Sequence, residues 1–168
     1  LPVRMLLGGV VVVALWQSVG TTTYLGLGVP TIVRAFDDPT LPAAAFALKL
    51  VFTAVTLAAG FLGGEVTPLF FIGATLGNLL ARWWSLPLAL AAAVGLASVF
   101  GSAANAPLAL TVMAVELFGW HVLPHVAIVC GVAYVLVGHR SIYAAQRVGR
   151  RKTGRRLGEV VGLSEFRQ

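Results

Sequence analysis

Glu65 is the only charged residue between Leu50 and Ala81, and it stands two positions ahead of Thr67 and Pro68. A small polar residue followed by proline reads as a helix start. The side-chain oxygen accepts from a free amide, and proline is tolerated in the first turn, where its missing N–H would have no partner. Thr67 is therefore expected to cap a helix beginning at Pro68, and Asn105, shortly before Pro107, to cap another. The unpaired amides and positive dipole end of such starts attract an anion without a cationic side chain. Transporters with discontinuous helices hold anionic groups in this way. Many buried helices begin with a cap and a proline and bind nothing, so neither start makes a site by itself.

Glu65 sharpens that reading. A carboxylate buried ionised and unpaired is costly, so it is paired, hydrated or protonated. Beside a bound anion, repulsion and loss of water both favour the protonated form. The pattern points to a proton-coupling group that takes up a proton when an anion is near and releases it when the anion leaves. In the plainer reading Glu65 caps a neighbouring helix or pairs with Lys49.

The other polar residues carry weaker signals. Ser102 follows Gly101 and, with His121 or His125, is the candidate set for an intramembrane serine protease. No strong nucleophile motif surrounds Ser102, and it fits a tight helix connection equally well. His121 and His125 are four apart, but Pro124 breaks the helical geometry and no third ligand is evident, so neither a metal nor a cofactor is expected. Glu116 lies near a helix end and reads as structural or near a subunit contact. Lys49 reads as snorkelling or pairing within a bundle. Gly73 and Gly77 have the spacing that lets helices approach closely. Cys130, alone in an apolar run, reads as a small core residue.

Positioning such groups requires a membrane. Hydrophobic residues make up 58% of the chain and charged residues 11%, and the mean hydropathy is +0.91; a soluble domain would carry about 25% charge. No charge occurs from Met5 to Val33 or from Trp83 to Val115. Each stretch exceeds the roughly 18 apolar residues that suggest a span, so several passes are expected. The first stretch is too long for a secretory signal and has no cleavage pattern. Because Leu1, Pro2, Val3 and Arg4 lead straight into an apolar segment, the chain is expected to be a fragment. Much of the net charge of +6 follows the last apolar segment, at Arg140, Arg147, Arg150, Arg151, Lys152, Arg155, Arg156 and Arg167. The positive-inside rule then puts the C-terminus in the cytoplasm, with residues 147–168 as a basic tail. Anionic lipid headgroups, not nucleic acid, are its expected contact.

Breakers between the apolar runs predict helices over Val3–Val19, Pro30–Phe36, Pro42–Ala59, Pro68–Ala81, Leu86–Val99, Pro107–Phe118 and Val122–Val137, with a last helix carrying Tyr143. Asp37, Asp38 and Pro39 mark a wet turn. Three of these helices, from Pro68, Leu86 and Pro107, are expected to be about a dozen residues, too short to cross a bilayer. Broken helices are tolerated at membrane depth where they line a polar cavity or are buried in protein, which implies a transport site.

The run Gly63-Gly64-Glu65-Val66-Thr67-Pro68-Leu69-Phe70-Phe71-Ile72-Gly73-Ala74-Thr75-Leu76-Gly77 resembles helix N of the CLC chloride channel and transporter family, with its Gly-x-Phe-x-Pro motif. Chloride-type members usually carry a hydrophobic residue in place of Glu65. The glutamate together with Thr67 resembles the fluoride/proton antiporter branch. Gly101-Ser102-Ala103-Ala104-Asn105-Ala106-Pro107-Leu108 is similar to the family's helix O to P segment, and Val112-Met113-Ala114-Val115-Glu116 to its acidic ending. Gly138-His139-Arg140-Ser141-Ile142-Tyr143 resembles the last helix, and Pro2, Val3 and Arg4 with Gly8 and Gly9 the start of helix J.

The resemblance implies an all-α integral membrane fold, the second inverted-repeat half of a CLC-like transporter (helices J to R) over residues 1–146, with tilted and broken helices. It implies an anion site made by the amides around Phe70 and Phe71, by Thr67 and by the Tyr143 hydroxyl. Gly64 and Pro68, like Asn105 and Pro107, then shape helix starts. Without the family, Tyr143 reads as an interfacial aromatic. The implied partners are fluoride or chloride, protons, the missing N-terminal half of the transporter, and a second copy in a homodimer. The expected location is the plasma (inner) membrane, crossed several times. No external gating glutamate motif occurs here, so these residues are expected not to complete the pathway alone. The expected function is fluoride export by fluoride/proton antiport. Alternatives are a chloride channel or chloride/proton exchanger, the protease, and a non-functional fragment.

Overall fold

A computed structural model describes residues 2–138, 141–143, 147–150 and 156–162. The chain forms α1 (Pro2–Val19), α2 (Val29–Arg34), α3 (Ala45–Ala58), α4 (Val66–Trp84), α5 (Leu88–Ala104), α6 (Pro107–Phe118) and, after a 3₁₀ turn at Trp120–Val122, α7 (Leu123–Val137). The regular structure of residues 2–138 is thus all-helical. Two helical stretches among the described residues, Pro2–Val19 and Trp120–Val137, are long and apolar enough to cross a membrane by length and composition.

Two of the three helices expected to be short are longer. α4 has 19 residues and α5 has 17, about 28 and 26 Å of rise at 1.5 Å per residue, close to a hydrocarbon core of roughly 30 Å. Proline within a first turn removes a donor the helix does not use, so α4 starts before Pro68. α4 runs on through Trp84 until Ser85 turns left-handed (φ 53°). Gly101 through Ala104, expected in a connection, continue α5 as small residues a helix accepts. Only α6, with 12 residues, keeps the expected length.

The chain divides into two compact units, residues 1–96 and 97–168, with α5 running through the division. In the first, α3 packs on α1 and α4, and α2 packs on α4. Its core is the cluster Tyr24, Ala45, Phe52 and Phe71, with Val12, Leu15 and Ile32 against it. Tyr24 stacks on Phe52 and meets Phe71 edge-on, each with ring centres 6.1 Å apart. α4 crosses α5 on bare backbone: a β-carbon at Gly73 would meet the Gly95 carbonyl, and one at Gly77 the Ala91 carbonyl. In a bilayer, where lipid tails are as apolar as the helices, such close approach is what holds helices together. Arg4 closes the α1–α3 contact by donating to the Ala58 carbonyl, Nε at 2.8 Å.

The α2–α3 turn is wet, as Asp37 to Pro39 suggest, and it is tied down. Asp38 Oδ2 accepts from Arg34 at 2.5 Å, and Oδ1 accepts from the Thr40 amide at 2.8 Å and from its hydroxyl. The Thr40 hydroxyl first, then Arg34 and the Thr40 amide hold this carboxyl down at about 2. From α4, the Arg82 guanidinium donates to Pro39 O at 2.9 Å.

In the second unit α6 packs on α7, and Cys130 is buried there, its thiol 3.7 Å from Ala97 O. The expected last helix is not formed over the described residues Ser141–Tyr143, which are non-helical. Ile142 N instead donates to Ala103 O at 2.9 Å and Ser141 Oγ to Ala104 O at 3.2 Å, meeting carbonyls that the end of α5 leaves without helical partners. Within the basic tail, β1 (Arg147–Arg150) and β2 (Arg156–Gly162) pair antiparallel, Arg147 opposite Gly162 and Arg150 opposite Arg156, with an irregularity between Val148 and Arg150. His139 and Arg140 lie outside the described residues.

Candidate functional site

The start of α4 is built two residues earlier than the sequence suggests. Glu65, not Thr67, occupies the N-cap position, with φ −87° and ψ −21° and no side-chain cap hydrogen bond. Its carbonyl accepts from the Leu69 amide at 3.3 Å, which opens the helical ladder. Pro68 has no donor, so the donors the helix leaves unused belong to Val66 and Thr67. The amides of Phe70 and Phe71, which the family resemblance assigns to an anion, fall beyond the first four helical positions and inside the ladder. Phe71 itself is fully buried in the aromatic core.

Glu65 and Thr67 are both half-buried. Among the described residues neither side chain makes a hydrogen bond or ion pair. Lys49 is therefore not the partner of Glu65. Gly63 and Gly64 are exposed, and a β-carbon on either would meet nothing within 4 Å.

Lys49, which the sequence suggests either snorkels or pairs within a bundle, is only 2% exposed. Its ammonium donates to the carbonyls of Tyr24 at 3.1 Å and Gly26 at 2.5 Å and lies 5.3 Å from the centre of the Phe71 ring. It lines a cavity of about 260 Å³ whose walls include Thr53, Thr56, Gly63, Gly64 and Pro68. Burial of Lys49 follows from a chain that turns back at Gly26 and Gly28, both with positive φ, bringing two carbonyls over α3. A lone lysine in an otherwise uncharged apolar helix was the available signal, but nothing local to α3 shows which backbone it meets.

In the second unit Asn105 ends α5 and does not cap α6. It is left-handed, φ 55°. Its amide donates to Ser102 O at 3.2 Å and that of Ala106 to Gly101 O at 3.1 Å, the paired closure of a Schellman motif, where asparagine is the common stand-in for glycine. Pro107 is the first residue of α6, as expected of a helix start, but the N-cap is Ala106. The Ser102 hydroxyl donates to Val99 O at 2.9 Å within its own helix, and His121 and His125 are exposed. Glu116 is exposed near the end of α6. Tyr143 is 47% exposed, and its amide donates to Ser141 Oγ at 3.1 Å.

The sequence profile of the voltage gated chloride channel family matches residues 1–138. A chloride/fluoride channel protein of Pseudomonas syringae pv. tomato is 47% identical, over 99% of this chain and 38% of its own length. The voltage-gated ClC-type chloride channel ClcB of Salmonella dublin is 31% identical, over 84% of this chain and 37% of its own length. The crystal structure of a CLC-type fluoride/proton antiporter superposes with a TM-score of 0.78 at 43% identity, over 83% of this chain and 35% of that one. The chain thus spans somewhat over a third of the length of each relative. With the helical architecture, the helix start at Glu65 and this family match together, the chain belongs to the voltage gated chloride channel (CLC) family of integral membrane proteins.

Proposed function

We propose that this chain forms the C-terminal half of a CLC-type transporter that exports fluoride in exchange for protons. The observation that carries the reading is Glu65, a half-buried carboxylate without a partner among the described residues, next to the unused amides of Val66 and Thr67. Fluoride is small and strongly hydrated, so close donors must replace its water. Two amides and the Thr67 hydroxyl are such donors, and the anion they hold favours protonation of the neighbouring carboxyl. When the anion leaves, the proton leaves with less resistance. The resemblance of Tyr143 to the family's anion-binding tyrosine supports a further hydroxyl, and the named activities of the 47%-identical relative and of the antiporter structure support fluoride.

In the same reading the N-terminal half supplies the rest of the pathway, two copies form a homodimer, and the chain lies in the inner membrane. Residues 147–168 face the cytoplasm and its anionic lipid headgroups. Fluoride and chloride efflux from liposomes holding the complete transporter, with and without Glu65→Gln, tests it. The expected result is fluoride efflux whose coupling to protons disappears in the variant; coupling that survives Glu65→Gln sinks the proton role. Chloride permeation is the second reading, favoured by the chloride channel names of the 31%-identical relatives, and chloride efflux exceeding fluoride efflux would establish it.

A further inference from the structure

Resting on the reading of this chain as part of an anion transporter, we propose that Lys49 and Thr53 form a separate halide-holding site on the wall of the cavity beside the α4 start. Lys49 is a buried cation in an apolar helix, and among the described residues no carboxylate pairs with it. A buried charge of this kind is retained where it is paired or faces a functional ion. Its ammonium has three donors, and the carbonyls of Tyr24 and Gly26 use two. Those carbonyls and the Phe71 ring hold the head group in place without neutralising it.

Thr53 follows four residues later on α3, hence on the same helix face, and also lines the cavity. Its hydroxyl has no hydrogen-bond partner among the described residues, whereas that of Thr56 is committed to Phe52 O at 2.7 Å. The remaining Lys49 N–H and the Thr53 O–H therefore supply two donors and one positive charge to a cavity of about 260 Å³, roomy for a monovalent halide with part of its water. Gly63, Gly64 and Pro68 line the same cavity, so an anion held here lies near the segment that carries Glu65. No bond is made or broken; the site raises the local concentration of the ion.

Calorimetric titration of fluoride and of chloride into the complete transporter, purified in detergent, tests the proposal. Lys49→Met is expected to weaken halide binding by about tenfold and Thr53→Val by about threefold, while Lys49→Arg retains most of it. Thr53→Val preserves shape, so it decides the matter even where Lys49→Met does not fold. A wild-type protein that binds neither halide, or a folded Thr53→Val with wild-type affinity, overturns the proposal. The antiport reading fails differently, by proton coupling that ignores Glu65→Gln, which leaves halide binding at Lys49 intact.

Discussion

The side-chain nitrogen of Asn78 lies 2.9 Å from the main-chain carbonyl of Asp38, and with its second proton it reaches the Ala35 carbonyl at 2.8 Å. Asn78 is fully buried. One amide thereby fixes the α2–α3 turn to the helix that begins at Glu65. Removing it leaves two carbonyls without their donor at a buried position, at a cost of about 1–3 kcal/mol. Asn78→Ala is expected to lower the thermal unfolding midpoint of the complete protein in detergent, and an unchanged midpoint contradicts the latch.

Asp38 makes that turn acid-sensitive. Its carboxyl is held at about 2 against an ordinary 3.8, so the folded chain binds this proton less readily than the unfolded one. The contribution is present in full above about pH 4 and is lost as pH falls toward about 2. Asp38→Asn should therefore differ most from wild type near neutrality, and the two unfolding midpoints should converge on acidification. A gap that stays constant from pH 6 to about 2 argues against the linkage.

Glycines on and before α4 should respond in opposite ways. Gly77→Val drives a side chain into the Ala91 backbone, which cannot yield as a flexible side chain would, and about 3 kcal/mol or loss of folded protein is expected. Gly64→Ala enters open space and should stay within about 0.5 kcal/mol of wild type. Size-exclusion profiles and unfolding midpoints separate the two.

Thr67 offers a functional contrast to these structural positions. Its hydroxyl makes no hydrogen bond among the described residues, so Thr67→Val should leave stability nearly unchanged. In the proposed site, loss of one donor to the anion should weaken fluoride binding by about three- to tenfold, with Thr67→Ser restoring it. A stable Thr67→Val with unchanged fluoride affinity removes Thr67 from the site.

The legibility of the site divides along physical lines. Glu65, Thr67 and Pro68 are adjacent in sequence, so their gathering at one helix start is local and was readable, though the start itself shifted. Proline fits several first-turn positions, and which one it takes depends on whether the preceding carbonyl joins the ladder. Asn105 misled for a related reason: asparagine suits both an N-cap and a left-handed C-terminal position, and the Gly101 and Ser102 carbonyls select the latter. α5 exceeded its expected length because Gly, Ser and Ala punctuate loops yet pack well in membrane helices.

Sequence alone determined that this chain is a bundle of membrane helices with one isolated acid at a helix start, because hydropathy over a span and the cost of a buried charge are summed residue by residue. Tertiary structure decided what the lone cation does. Lys49 meets carbonyls from residues 24 and 26 only because a glycine-turned segment folds back over α3, and such a contact between distant segments leaves no trace in the order of residues around it.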